Sequence, residues 1–222
     1  ECLYEVALNN PQKKTDVIKK MTQLSNVSME YVQLRVKFFE GDTVDYLREL
    51  GSNCYKKYYA EKVFKPMVNL IYKLKENGFE VWIITASPEA LYQKFLSEEL
   101  HIPITNIVGV KSVVHEGKIT GTMVEPIPQD HGKKEAIETF VQERPLLVGG
   151  NSRGDKEMIE YSGNLKIIIN PDEYVAEDQT ESIAEYARKN NWMIAKIKDV
   201  PSNEFPYISS KNFNMKKNKT NE

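Results

Sequence analysis

The sequence predicts an α/β fold in which a helical region precedes a doubly wound parallel sheet. Apolar residues recur only at the helical period from residue 9 to about residue 59. From Pro66 onward, short runs rich in β-branched residues alternate with amphipathic helical segments over short links. The 222 residues are enough for one domain, or for one domain with a smaller lid.

The first 62 residues are predicted to form short amphipathic helices that act as a cap. Ser28 is a candidate N-cap, and the segment 41–43 interrupts the apolar stripe. No strand pattern separates these helices, so they fit a lid better than half of a sheet. The stripe consists of Val17, Ile18, Met21, Leu24, Tyr31, Leu34, Phe38, Phe39, Val44, Leu47, Leu50 and Cys54.

Residues 63–200 are predicted to form the α/β core. Pro66 suits the first position of a helix that ends at Gly78, and Pro88 suits the start of the next helix. Alternation around Glu116-Gly117-Lys118 predicts a β-hairpin over residues 110–124. Further helices are predicted at 133–142, 155–161 and 181–189, and strands at 80–85, 105–109, 146–149, 166–170 and 192–198.

Composition excludes several classes of protein. The 30 basic and 32 acidic residues nearly balance, so no nucleic-acid or acidic-lipid partner is expected. No apolar run approaches the ~20 residues that span a bilayer. Residues 201–222 form a predicted flexible basic tail. Cys2 and Cys54 are too few for a disulfide scaffold and lack metal-ligand spacing, which makes a reducing, cytoplasmic location the default.

The segment 147–158 carries the first candidate site. An apolar strand ends in paired glycines, and the loop that follows presents Asn151 and Asp155 four residues apart. Carboxylate and carbonyl oxygens suit a hard cation such as Mg²⁺, and ligands bind at the carboxyl ends of strands in open α/β sheets. The same residues also fit ordinary turn chemistry.

Two other segments are candidate phosphate contacts. Thr85, Ala86 and Ser87 lie between a strand and a helix, where a hydroxyl and free backbone N–H groups can bind a phosphate oxygen. Ser87 also fits a simple N-cap with Pro88 at the first helical position. Lys133 lies at the start of a predicted helix, where the helix dipole disfavours a cation unless an anion binds there. The same residue also fits an ordinary surface lysine.

The order of these three segments resembles the haloacid dehalogenase superfamily, and most closely its phosphoserine-phosphatase-like branch. Residues 81–88 look like that branch's second motif, and the Gly-Asn-Ser-x-x-Asp at 150–155 is the most specific part. Residues 39–43 resemble its helical cap and residues 191–192 its closing strand, so the resemblance covers roughly residues 35–200. It implies a Rossmann-like sheet with a helical cap.

The resemblance also implies roles for these residues. Thr85 would donate a hydrogen bond to the phosphoryl oxygens, with Ala86 and Ser87 beside it in the substrate site. Lys133 would hold the phosphate, with Lys134 as the alternative, and Asn151 and Asp155 would position Mg²⁺. The family commonly has Asp where this chain has Asn151.

The nucleophile of the family has no counterpart in this sequence. The family attacks phosphorus with the first Asp of an Asp-x-Asp motif, and this chain contains no Asp-x-Asp. The segment 40–42 copies the spacing with Glu first, but it lies in the helical region and leaves no room for a cap before Thr85. The expectation is that Glu1 lies downstream of the natural start and that a strand and loop precede it; a genuine non-catalytic relative is the alternative.

The sequence therefore predicts a Mg²⁺-dependent phosphomonoester hydrolase acting on a small phosphorylated metabolite through an aspartyl-phosphate. The competing hypothesis is a phosphate-binding or interaction module without turnover. A dehalogenase is a third option within the family, and the pattern of Lys133 and Asp155 favours phosphate chemistry over it. The oligomeric state is not predicted.

Overall fold

The computed structural model describes residues 2–9, 11–25, 27–175 and 178–200. The chain divides into two compact units that meet in sequence at residues 125 and 126. The predicted basic tail, residues 201–222, lies outside the described residues. Within the described part, no helix is both long enough and apolar enough to cross a membrane.

The first unit begins with helices, as the apolar periodicity predicted. They are α1 (Cys2–Asn9), α2 (Pro11–Met21), α3 (Met29–Lys37) and α4 (Val44–Cys54), followed by a π-helical turn (Tyr55–Tyr59) and a 3-10 turn (Ala60–Lys62). The Ser28 hydroxyl caps α3 by accepting a hydrogen bond from the Tyr31 N–H group. Their apolar faces meet in one core, which includes Ile18, Met21, Phe38, Phe39 and Leu47.

Cys2 and Cys54 form a disulfide that joins α1 to α4, with their Cα atoms 5.9 Å apart. The sequence indicated only that two cysteines are too few for a disulfide scaffold, and it did not predict that this pair would be bonded. Sequence spacing alone cannot show that two cysteines 52 positions apart meet in space. The basis on which a reducing compartment was predicted is therefore lost.

The same unit continues with α5 (Lys65–Glu76), β1 (Ile83–Pro88), α6 (Glu89–Leu100), β2 (Ile107–His115) and β3 (Lys118–Val124). Pro66 lies in the first turn of α5, as predicted. The three strands form a sheet in the order β1-β2-β3. The hairpin turn is at Glu116 and Gly117, which both have positive φ angles.

Two strand predictions in this unit were wrong in extent. The strand predicted at 80–85 begins instead at Ile83, because the Asn106 amide binds the Val81 carbonyl, and ladder pairing starts only at Ile83 and Ile107. The strand predicted at 105–109 and the first arm of the hairpin are one strand, β2. That strand pairs in parallel with β1 and then, from Lys111, antiparallel with β3.

The second unit contains α7 (His131–Ala136), β4 (Leu147–Gly150), α8 (Lys156–Glu160), β5 (Leu165–Ile169), α9 (Ile183–Lys189) and β6 (Met193–Ala195). A π-helical turn (Ile137–Val141) follows α7, so the helix predicted at 133–142 starts two residues earlier and changes hydrogen-bonding pattern midway. The strands pair in parallel in the order β4-β5-β6. Ile159, Ile168, Ala184 and Ala187 are fully buried and form its apolar interior.

Candidate functional site

The loop after β4 is organised around the carboxylate of Asp155. Its Oδ2 atom accepts hydrogen bonds from the N–H groups of Asn151 (2.9 Å) and Ser152 (3.0 Å) and from the Ser152 hydroxyl (3.3 Å). Asp155 ends a 3-10 turn (Arg153–Asp155) and completes a capping box with Ser152. The carboxylate thus holds the loop in a fixed shape at the carboxyl end of the strand.

Gly150 makes this close approach possible. A Cβ atom at position 150 would lie 2.5 Å from the Asp155 Cβ, closer than real atoms come. The second of the paired glycines is therefore required by the packing of Asp155 and not by turn geometry alone.

Lys133 provides the charge that opposes Asp155. The Lys133 Nζ atom lies 2.5 Å from Asp155 Oδ1, and the two side chains are only 13% and 6% exposed. Burial alone would raise the pKa of Asp155, but the Lys133 ammonium and the backbone N–H groups of the loop outweigh it and hold that pKa below its ordinary value. The Asp155 carboxylate is therefore ionised at neutral pH.

The structure distinguishes the two neighbouring lysines. Lys134 Nζ lies 3.3 Å from Glu138 Oε1, one helical turn away, and over the ring of Tyr161. Of the two, it is Lys133 that reaches the loop that follows β4.

A second polar group lies in the first unit, within β1. The Thr85 hydroxyl oxygen accepts a hydrogen bond from the Ser87 N–H group (3.3 Å). Ser87 is not the N-cap of α6, because β1 continues to Pro88, which occupies the cap position without a side-chain hydrogen bond. The alternative of a simple Ser87 cap was therefore wrong.

Arg35 of α3 secures this segment, and the sequence interpretation missed it. Its Nη2 atom donates to the Ala86 carbonyl (2.5 Å) and its Nη1 atom to the Ser87 hydroxyl (3.2 Å). Burial lowers the pKa of the guanidinium, and Arg35 makes no ion pair with any described residue. Its position four residues after Tyr31 places it on the apolar stripe of α3, and that placement was the available signal.

The residues predicted to hold Mg²⁺ do not make a metal site by themselves. Both carboxylate oxygens of Asp155 already accept hydrogen bonds, and Asn151 is exposed and offers one neutral oxygen. Among the described residues no three His, Cys, Asp or Glu side chains are grouped to bind a metal. A hard cation at this loop would need more oxygen ligands than Asn151 and Asp155 provide.

The sequence places this α/β fold in a known class of proteins. The family model for haloacid dehalogenase-like hydrolases matches residues 14–160, more than half of the chain. The chain belongs to this family, so the predicted resemblance and the predicted fold class are confirmed.

Curated relatives and solved structures agree with this assignment. A putative hydrolase of Mycobacterium leprae is 25% identical over 162 residues, which are 71% of this chain and 50% of that protein. Phosphoserine phosphatase SerB1 of Mycobacterium tuberculosis is 26% identical over 162 residues, 71% of this chain and 49% of that protein. The chain thus spans about half the length of the curated relatives it matches.

Two solved structures share the fold at low identity. A protein of unknown function from Bordetella pertussis superposes with a TM-score of 0.67 at 11% identity, over 88% of this chain and 91% of that one. A probable phosphoserine phosphatase from Vibrio cholerae superposes with a TM-score of 0.53 at 18% identity, over 76% of this chain and 51% of that one.

Proposed function

We propose that this chain is a phosphatase-type member of its family, with a small phosphorylated metabolite as the substrate of the complete catalytic machinery. The observation that carries the proposal is the buried Lys133–Asp155 pair at the strand-end loop of a haloacid dehalogenase-like hydrolase. The relative named as a phosphoserine phosphatase supports the same chemistry.

In this proposal Lys133 binds a phosphate oxygen. An ammonium group has three N–H donors, and Asp155 accepts one of them. Asp155 holds the Lys133 side chain in place, and the remaining N–H donors can contact an anion. Positioning and neutralisation of charge provide most of the catalysis in phosphoryl transfer.

Thr85, Ala86 and Ser87 are the proposed phosphate contacts of the first unit. The Thr85 oxygen accepts a hydrogen bond from the Ser87 N–H group, which leaves the Thr85 hydroxyl proton for a phosphoryl oxygen.

The proposed aspartyl-phosphate route needs a nucleophilic carboxylate, and the 222-residue chain contains no Asp-x-Asp. We therefore expect this chain to bind inorganic phosphate without hydrolysing 4-nitrophenyl phosphate, with Mg²⁺ or with a chelator. Clear turnover by the 222-residue chain would contradict this route. The Mg²⁺ requirement remains a prediction that the chelator comparison tests in any active, longer form.

The two lysines provide a matched test of the phosphate site. Lys133→Gln should weaken the binding of inorganic phosphate about tenfold or more, because a charge-assisted hydrogen bond contributes about 1.5–3 kcal/mol. Lys134→Gln removes the ion pair with Glu138 and the contact with the Tyr161 ring, both away from the β4 loop, and should leave the affinity within about twofold. Isothermal titration calorimetry measures the phosphate affinity of both variants. Equal effects of the two substitutions would show that Lys133 is not part of the phosphate site.

A phosphate-binding or interaction module without turnover is the second candidate. The absence of Asp-x-Asp favours it, as does the engagement of both Asp155 oxygens within the protein. A longer form that hydrolyses a phosphomonoester would exclude it. For either candidate, the Cys2–Cys54 disulfide favours an oxidising compartment over the cytoplasmic location that the cysteine count predicted.

A further inference from the structure

The first unit contains a cleft of about 410 Å³ whose lining includes six aromatic side chains. Helices α1, α3 and α6 and the π-helical turn after α4 contribute to it. This volume lies in the range of small-molecule sites. We call it the aromatic cleft, and its rings are those of Tyr4, Tyr31, Tyr55, Tyr59, Tyr92 and Phe95.

Three of these rings already pack against one another. Tyr55 and Phe95 are stacked, with centroids 4.6 Å apart and planes inclined by 10°, and Tyr92 lies 5.4 Å from Phe95 in a tilted arrangement. Tyr59 is 40% exposed and is therefore accessible to a ligand. A flat ring that enters the cleft can extend this packing, since aromatic pairs favour stacked or tilted geometries at such distances.

The charges of the aromatic cleft select an anion. Its charged lining residues are Arg35 and Lys62, both cations, and none of its described lining residues is Asp or Glu. The Nε atom of Arg35 is buried and has no hydrogen-bond partner among the described residues. Aromatic pockets often bind cations, but two cationic side chains disfavour that here.

The larger cavity of the same unit, about 1000 Å³, shows no comparable preference. Its lining includes both acidic and basic side chains, among them Asp16, Lys20, Lys37, Glu40 and Asp42. These opposite charges offset one another, and the cavity selects neither sign.

The aromatic cleft adjoins the proposed phosphate contacts. Ser87 and Pro88 belong to its lining, and they lie just after Thr85 in β1. A phosphate bound at Thr85 would therefore have aromatic side chains of the same unit beside it. This adjacency lies within the first unit alone.

We propose that the aromatic cleft binds the organic group of the substrate and that this substrate is the phosphomonoester of an aromatic alcohol. The inference rests on the proposed function, because it names the substrate class of the same site. The cationic lining attracts the ester's negative charge, and the rings favour an aryl group over a short polar one such as a serine side chain.

Two non-hydrolysable analogues test the inference on the full 222-residue chain. Phenylphosphonate and methylphosphonate share the anionic group and differ in the ring. Isothermal titration calorimetry should show phenylphosphonate binding about tenfold more tightly or better. Tyr59→Ala should weaken phenylphosphonate binding about three- to tenfold and leave methylphosphonate unchanged.

The matched control is Tyr46→Ala, because Tyr46 is similarly exposed (42%) and does not line the aromatic cleft. It should change neither affinity. Equal binding of the two phosphonates, with inorganic phosphate still bound, would overturn the aromatic substrate class and leave the proposed function intact. Failure of both phosphonates and of inorganic phosphate to bind would overturn the proposed function and the substrate class with it.

Discussion

Asp155 shows how a buried carboxylate can stay charged inside a folded protein. Its carboxylate is buried, yet the ionised form is favoured because one oxygen faces Lys133 and the other accepts three hydrogen bonds from the loop. A buried charge with a full set of partners is tolerated, whereas its removal leaves the opposite charge uncompensated. Lys133 would then be a buried cation without a partner.

Asp155→Ala should therefore lower the free energy of unfolding by about 3 kcal/mol at pH 7. The folded-state pKa of Asp155 is lower than in the unfolded chain, so its stabilisation is present above pH ~4 and is lost as the pH falls through the folded-state pKa. Urea unfolding of both proteins between pH 7 and pH ~3 should show the difference between them becoming smaller.

Asp45→Ala is the control for this comparison. Asp45 forms an ion pair with Arg48 but is 89% exposed, so its loss should cost less than about 1 kcal/mol. A difference between wild type and Asp155→Ala that stayed constant with pH would show that the charge of Asp155 is not what stabilises the loop.

The positions of some single residues could be predicted from the sequence, and those of others could not. The sequence could place Lys133 at a helix start and Asp155 in a loop after a strand, because both positions follow from local patterns, while their roles as site residues remain predictions. The choice between Lys133 and Lys134 could not be predicted, since it depends on which face of α7 meets the β4 loop. Arg35 was missed because an arginine on a helix is ordinarily solvated, and only contacts with Ala86 and Ser87 show its position.

At the scale of elements, the end of β4 and the loop after it form one packed feature. Gly150→Ala should destabilise the protein by about 1–3 kcal/mol, because the new Cβ would meet the Asp155 side chain at 2.5–2.8 Å. Gly149→Ala is a matched control one residue earlier, where a Cβ would meet only Ile169 Cδ1 at an ordinary 3.8 Å.

Urea unfolding of the two variants tests this prediction. Gly149→Ala should remain within about 0.5 kcal/mol of wild type. If both substitutions lower the free energy of unfolding equally, the loss of a glycine would explain the effect, and the close approach of Asp155 would not. Binding of inorganic phosphate should also fall in Gly150→Ala, since the loop holds the partner of Lys133.

Most helices and strands could be predicted from the sequence, but their first and last residues could be predicted less well. Helices α3 and α4 follow from a strong apolar period, with Ser28 as a predicted cap and a break at residues 41–43 between the two helices. The start of β1 and the unbroken β2 depend on which neighbour offers backbone hydrogen bonds, and a local pattern does not contain that information. Non-local pairing therefore explains both errors.

At the scale of the whole molecule, the alternation of strands and helices was sufficient to identify the α/β class and, with the three motifs, the family. These features are local in sequence and repeat along the chain. The disulfide is different, because Cys2 and Cys54 are brought together only by the packing of α1 against α4. The division at residue 62 between cap and core remains a prediction.

The disulfide should contribute strongly to the stability of the chain. It closes a loop between residues 52 positions apart, and such a cross-link stabilises by about 2–4 kcal/mol, chiefly by restricting the unfolded chain. Thiol titration of the unfolded, unreduced protein should detect no free thiol, and a phosphine reductant should lower the free energy of unfolding by that amount. The double variant Cys2→Ser/Cys54→Ser should match the reduced protein and should not respond to the reductant. Two titratable thiols before reduction, with a stability that the reductant leaves unchanged, would show that α1 is held to α4 by its apolar contacts alone.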